Sequence, residues 1–203
     1  MMAAVELLLI RHAEPVRVES SEGPADPELT GRGREQARRL TEWLADEAID
    51  AVWASPLRRA VETAIELARP HAVDLVVDEE LCEWDRDDPS YIPIEELRRL
   101  RDERWTALVE ERWDELAPGL DPARFRAGVV GAVERVIAAH PGEHVAVVCH
   151  GGVINAYLGH VLGISRHLWF EPRYASISRV AASRDGARSV VSLNETAHLR
   201  GAL

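Results

Sequence analysis

Three short apolar runs in this chain stop abruptly at polar residues, and this pattern restricts the fold more than any other feature of the sequence. Val5-Glu6-Leu7-Leu8-Leu9-Ile10 runs into Arg11-His12, Ala51-Val52-Trp53-Ala54 into Ser55-Pro56, and Val145-Ala146-Val147-Val148-Cys149 into His150. Runs this short and this continuously apolar fit strands buried on both faces, as parallel strands are. Between them apolar residues recur at helical spacing. Ala37, Leu40, Trp43, Leu44 and Ala48 predict a helix over 32–48 with Thr30 as N-cap, and the periodicity resumes over 58–68, with Arg58 at that helix's opening. Residues 73–77 read as a third strand. Ile94, Leu97, Leu100, Trp105, Leu108, Val109 and Leu116 predict one long helix, or two joined, over 94–116; a further helix over 125–139 stops at His140-Pro141-Gly142. A helix follows Gly151-Gly152, and strands over 176–182 and 188–193 flank a turn at Arg184-Asp185-Gly186. The stretch 15–27, rich in Ser, Gly, Pro and acids, reads as a loop. Strands alternating with helices predict an α/β fold of three layers, α/β/α, with a mostly parallel central sheet. Ligands collect at the carboxyl ends of strands in such sheets. Arg11, His12, Arg58 and His150 occupy such ends or the turns just after them, so their convergence is the central expectation.

The 203 residues fit one domain, 1–203, in which 86–125 is the segment expected to form a cap or lid. A net charge of −11 argues against nucleic acid as a partner, since such binding needs a broad basic face. All 24 basic residues are arginine. The lack of lysine excludes Walker-type phosphate binding and Schiff-base chemistry, both of which need its amine. Arginine still offers a rigid fork of donors matched to phosphate oxygens. The apolar runs are too short to span a bilayer and no leader pattern opens the sequence, so no membrane partner and a cytoplasmic location are expected. Cys82 and Cys149 match no redox or metal spacing and are expected to be buried reduced thiols. No metal or cofactor is expected. His71, His140, His144, His160, His167 and His198 show no ligand spacing, and Gly151-Gly152 lacks the full dinucleotide fingerprint. A homodimer is compatible with the sequence, and nothing in it argues for one.

Leu8-Leu9-Ile10-Arg11-His12-Ala13-Glu14, followed by Leu29-Thr30, Gly33 and Gln36-Ala37, then Ser55-Pro56-Leu57-Arg58-Arg59-Ala60 with Thr63-Ala64, Leu81 with Glu83, and Val148-Cys149-His150-Gly151-Gly152-Val153-Ile154, occur in one order along the chain. In these motifs the sequence resembles the histidine phosphatase superfamily, which includes the cofactor-dependent phosphoglycerate mutases. The likeness covers most of the chain and is weakest over 86–125. It implies a phosphoglycerate mutase-like fold and a metal-independent phosphomonoester hydrolase acting on a small phosphorylated metabolite through phosphohistidine at His12. Arg11, Arg58 and His150 would form the phosphate cradle with Gly151 beside them, and Glu83 would be the proton donor. The sequence departs from the family where Trp84-Asp85-Arg86-Asp87-Asp88-Pro89 replaces a glycine-containing stretch, which leaves Asp85 as a rival to Glu83. Ala13 replaces the family glycine, asking the turn after His12 to avoid positive φ.

The chemistry of these residues agrees with that implication. Neutral imidazole is a good nucleophile toward phosphorus, and neighbouring guanidiniums oppose its protonation. Charge on the transferring phosphoryl group spreads over three oxygens, where preorganised donors act. A carboxyl group can protonate the leaving oxygen and later deprotonate water. Arg17 and Arg59 are candidates for meeting a second charged group on the substrate, although solvated placement is ordinary for surface arginines. Tyr91 and Trp105 are candidates to line the site, while Trp105 and Trp113 equally fit a core, and the charged run 95–111 fits a solvated helix face. Two further functions stay open. A mutase usually carries a serine or threonine and then an asparagine where this chain has Pro15-Val16-Arg17-Val18, and a non-catalytic phospholigand-binding module would keep the pocket without turnover.

Overall fold

The computed structural model describes residues 4–20 and 22–201; Ser21, inside the 15–27 loop, lies outside the described residues. Six strands form one sheet in the order β3-β2-β4-β1-β5-β6. They are β1 (Val5–Arg11), β2 (Ala51–Ala54), β3 (Leu75–Val77), β4 (His144–Cys149), β5 (Ile177–Ala182) and β6 (Arg188–Glu195). β3, β2, β4 and β1 are mutually parallel, whereas β5 and β6 run antiparallel at one edge. The sheet is therefore mostly parallel, as the alternation of elements predicts.

The two central strands explain why their sequences lack polar alternation. Leu7, Leu9, Val145 and Val147 pack into one apolar layer with Val129, Val133, Ile154 and Leu158. Leu8, Ile10, Ala146 and Val148 pack into the other with Ala37, Leu40, Ala64 and Leu67. The first layer is covered by α6 (Pro122–Ala139) and α7 (Gly151–Leu162), the second by α1 (Gly31–Trp43) and α2 (Arg58–His71). Both strand faces lie under helices, so both must be apolar. Local signals set the helix ends: the Thr30 side chain accepts a hydrogen bond from Gly33 N at 2.8 Å, Asp121 caps α6, and α7 stops at Gly163 with φ 69°. α1 is shorter than expected and ends at Trp43, while Leu44, one residue beyond, keeps its buried place.

The segment 94–116 is neither one helix nor two. It folds as α3 (Ile94–Leu100), α4 (Glu103–Val109) and α5 (Trp113–Leu116). Arg101 and Glu111, at φ 54° and 56°, break the rod, and Asp102 starts α4 by accepting from Arg104 N. A straight helix of this length would extend about 34 Å, carrying its apolar stripe away from the sheet. Broken twice, the segment brings Ile94, Leu97, Trp105, Leu108 and Leu116 to the cavity at the strand ends, while Leu100 stays exposed. Among the described residues, no helix is long and apolar enough to cross a membrane.

Candidate active site

The register of β1 against β4 puts the two matched histidines side by side. Arg11 pairs with Cys149, and His12 N donates to the Cys149 carbonyl at 2.9 Å, so the chain leaves both strands at one level. The imidazole rings of His12 and His150 are 5.0 Å apart between centroids, and both are buried. His12 Nδ1 lies 2.8 Å from the Ala13 carbonyl oxygen. Only a protonated nitrogen can bond to that oxygen, so the lone pair of the neutral ring sits on Nε2. Burial lowers the His12 pKa well below its usual value, and the positive charges of Arg59 and Arg11 lower it further. Ala13 does not take a positive φ, so alanine is accommodated where the family carries glycine.

Here the expectation for Arg58 is corrected. Arg58 lies half exposed at the start of α2, paired with Glu28 at 2.8 Å and Glu62 at 2.7 Å. Arg59 is the arginine in the cleft: it is 1% exposed, and its Nε donates to His12 Nε2 at 3.3 Å. Helical spacing decides between the neighbours, since consecutive residues diverge by about 100° around the axis. Arg58 shares its face with Glu62, four residues on, and points to solvent. Arg59 shares its face with the buried Thr63, whose hydroxyl donates to the Arg59 carbonyl and accepts from Ala13 N. The i,i+4 partners show that the two arginines lie on different faces of α2, but which face turns inward is set by the rotation of the helix against the sheet.

Arg11 is also buried beside His12. It donates to Glu95 at 2.7 Å and to the Pro172 carbonyl at 2.6 Å, and its guanidinium lies 3.8 Å from the centre of the Tyr174 ring. The Arg59 guanidinium stands 4.6 Å from the Tyr91 ring centre, and the two tyrosine hydroxyls are hydrogen-bonded at 3.2 Å. Each arginine thus rests on an aromatic face. No pattern in the sequence points to Tyr174, because its position depends on the strained turn at Ala175, φ 53°, whose N–H is shared between the carbonyls of Arg11 and His12.

His150 Nε2 bonds to Ser55 Oγ at 2.7 Å, while its Nδ1 is buried without a protein partner. Glu83 is buried, with Oε2 accepting from Gly152 N at 2.7 Å and Oε1 from Trp84 N at 3.1 Å. Burial and the nearby charge of Asp85 push its pKa up to about 7, against the lowering effect of those amides. Asp85 stands 3.6 Å from Arg59, and its pKa is raised chiefly by burial. Gly152 is needed for this approach, because a Cβ there would sit 2.2 Å from Glu83 Oε1.

Arg11, His12, Arg59, Glu83, Asp85, His150 and Gly151 all open onto one cavity of 360 Å³. Arg17 does not. It is tied at the surface to Glu19 and Glu96. Tyr91 and Trp105 line the cavity, and Trp113 instead stacks edge-on against Trp84. The other histidines serve locally: His140, for example, accepts from Trp53 Nε1 and pairs with Glu143. Cys82 and Cys149 are buried free thiols. Among the described residues, no group of three or more His, Cys, Asp or Glu side chains is placed to hold a metal ion.

Comparison with known proteins identifies the family. Residues 7–196 match the sequence model of the histidine phosphatase superfamily (branch 1). Phosphoserine phosphatase 1 of Hydrogenobacter thermophilus is 30% identical over 199 residues, covering 96% of this chain and 94% of that protein. Phosphoglycerate mutase-like protein 4 of Arabidopsis thaliana is 34% identical over 159 residues, covering 74% and 68%. Among solved structures, a mycobacterial glucosyl-3-phosphoglycerate phosphatase superposes with TM-score 0.74 at 22% identity, over 95% of this chain and 100% of that one. The chain therefore belongs to the histidine phosphatase superfamily.

Proposed function

We propose that this protein is a metal-independent phosphomonoesterase that passes its substrate's phosphoryl group through His12 Nε2. The observation that carries the reading is the state of that nitrogen. The ring's proton is fixed on Nδ1 by the Ala13 carbonyl, the Nε2 lone pair faces a guanidinium that a phosphoryl oxygen can engage, and burial beside Arg59 and Arg11 opposes protonation of the ring. The phosphatase names of several relatives support the same reaction class.

In the first step the Nε2 lone pair attacks phosphorus, the bond from phosphorus to the ester oxygen breaks, and Glu83 gives its proton to the departing oxygen. The raised pKa of Glu83 keeps a useful fraction protonated near neutral pH. Arg59, Arg11 and His150 face the charge that spreads over the phosphoryl oxygens. In this reading Ser55 donates to Nε2 of His150, so that Nδ1, which has no protein partner, carries the proton toward the phosphoryl group. In the second step Glu83 takes a proton from water as the water oxygen attacks phosphorus, the P–N bond breaks, and inorganic phosphate leaves. Asp85 stands opposite Arg59 at 3.6 Å and raises the Glu83 pKa; Glu83, fixed by two amides, is taken as the proton donor. Residues 86–125 are read as the cap, a reading supported by Ile94 and Leu97 of α3 and Trp105 and Leu108 of α4, which line the cavity.

The test is hydrolysis of p-nitrophenyl phosphate without added metal, with acid-labile, base-stable phosphoenzyme trapped by rapid quench. His12→Ala should abolish both. A labelled phosphoenzyme that returns its phosphoryl group to phosphoglycerate faster than to water would establish a mutase instead, and tight phospholigand binding without phosphoenzyme would leave a binding module.

A further inference from the structure

Beyond its phosphoryl end, the cavity is built for hydrocarbon. Ile94, Leu97, Trp105, Leu108, Trp169 and Phe170 line it as an apolar wall supplied by the cap and by the loop after α7. This wall is preformed: Trp169 is anchored by its indole N–H to the Asn155 carbonyl at 3.2 Å, and the Asn155 side chain in turn accepts from the backbone N–H groups of Trp169 and Phe170. Charges outside the cradle are few and engaged. Arg104 is clamped to Asp102 through two nitrogens at 2.9 and 2.8 Å, and Arg166 donates to the Val109 carbonyl. Glu171, held by Arg98, and Asp88 bring negative charge to the same lining. Arg17, which would be the natural reader of a second anionic group, is paired elsewhere.

A carboxylate carried into this wall would lose its water and meet no dedicated partner, whereas an alkyl or aryl group would lose only unfavourable contact with water. We infer that the cavity selects phosphate monoesters of small apolar alcohols, branched or aromatic, and discriminates against esters whose alcohol bears a carboxylate, such as phosphoserine or 3-phosphoglycerate. The inference rests on the proposed phosphatase reading and names its substrate class. It sets this chain apart from the relatives named for phosphoserine, with which it shares the phosphoryl chemistry. Four of the six wall side chains, Ile94, Leu97, Trp105 and Leu108, belong to the segment 86–125.

The n-alkyl monophosphates from ethyl to hexyl keep the leaving group constant, so their kcat/KM values read burial of the chain alone. Each added methylene that finds the wall should raise kcat/KM several-fold, and hexyl phosphate should exceed both phosphoserine and 3-phosphoglycerate by roughly 10- to 100-fold. Trp105→Ala should reduce the hexyl-to-ethyl ratio. Binding of hexylphosphonate against methylphosphonate, read by calorimetry, is independent of turnover, because neither has an ester bond to cleave. Hexylphosphonate bound more tightly, with no ester hydrolysed, would sink the phosphatase reading and leave the apolar pocket standing. Turnover of all the esters with a flat alkyl series and equal phosphonate affinities would sink the pocket and leave the phosphatase. So would Arg166→Ala that lowered 3-phosphoglycerate turnover tenfold while sparing hexyl phosphate, since the mouth arginine would then be a carboxylate reader.

Discussion

Gly152→Ala probes the proton donor through a single added carbon. An ideal Cβ at this position would lie 2.2 Å from Glu83 Oε1, 3.0 Å from its carboxyl carbon and 2.8 Å from Trp84 Cδ1. The carboxyl group is not a loose end that can swing aside, because its two oxygens are bound by the amides of Trp84 and of Gly152 itself, and it is buried. The methyl group must therefore displace Glu83 from the position in which it reaches a leaving oxygen. A positioned general acid contributes about 100- to 10,000-fold, which is roughly 2.7 to 5.4 kcal/mol in the barrier. The assay compares butyl phosphate, whose alkoxide needs a proton to depart, with p-nitrophenyl phosphate, whose phenolate does not. Turnover of butyl phosphate should fall by about 100-fold or more. With p-nitrophenyl phosphate the variant should release a burst of one phenolate per active site and then slow, because the displaced carboxyl group is also missing as the base for water. Combining the change with Glu83→Asp, one methylene shorter, should restore part of the activity, a coupling expected only of groups in contact. The reasoning is refuted if the folded variant hydrolyses butyl phosphate within about threefold of the parent, since loss of a general acid cannot be that small.

Arg59→Ala should lower kcat by about 100- to 1,000-fold through loss of one transition-state donor, whereas Arg58→Ala should stay within about threefold; equal losses would undo the placement of the two side chains. For alkyl esters, kcat/KM, which reports the phosphorylation step, should decline as pH rises through the neighbourhood of 7, where Glu83 gives up its proton, and hold on the acid side to well below pH 6.5, because His12 stays neutral there. A decline of the same shape in the slow Glu83→Gln enzyme would assign it to another group. The same shift has a stability consequence of known sign. A carboxyl group whose pKa rises from 4.5 to about 7 on folding makes the fold progressively less stable as pH climbs between those values. The Tm of Glu83→Gln minus that of the parent should therefore grow from pH 5 to pH 8, and a constant difference in differential scanning calorimetry would count against the shift. Gly33→Ala would bring a Cβ within 2.0 Å of the Glu14 carbonyl oxygen, an atom already receiving Thr30 N. It should destabilise the protein by about 1 to 3 kcal/mol in urea unfolding.

The layered α/β architecture was legible because its cause is local. A strand sandwiched between helices must be apolar at every position, and a helix with one covered face must repeat near every third or fourth residue. Residues 7–10 and 145–149 show the first rule, and Ala37, Leu40 and Leu44 the second. His12 and His150 were legible for the same reason: each is the first residue after such a strand, and parallel neighbours deliver their carboxyl ends to one edge.

Other features depended on relations that no local pattern expresses. Arg58 and Arg59 are chemically identical, and which of them entered the cleft was settled by the rotation of α2 against the sheet, through Glu62 on one side and Thr63 on the other. The breaks at Arg101 and Glu111 fall on residues with no turn signal of their own, each in a left-handed conformation that is not written in the residue type. Tyr174 reached Arg11 only through a turn more than 160 residues away in the chain. The amino-acid order by itself determined which segments are strands and helices and which reactive groups lie at their ends, since those follow from neighbours along the chain. Tertiary packing alone decided which of two adjacent guanidiniums meets the imidazole and what surface faces the substrate, because orientation is set by contacts between segments that are remote in sequence.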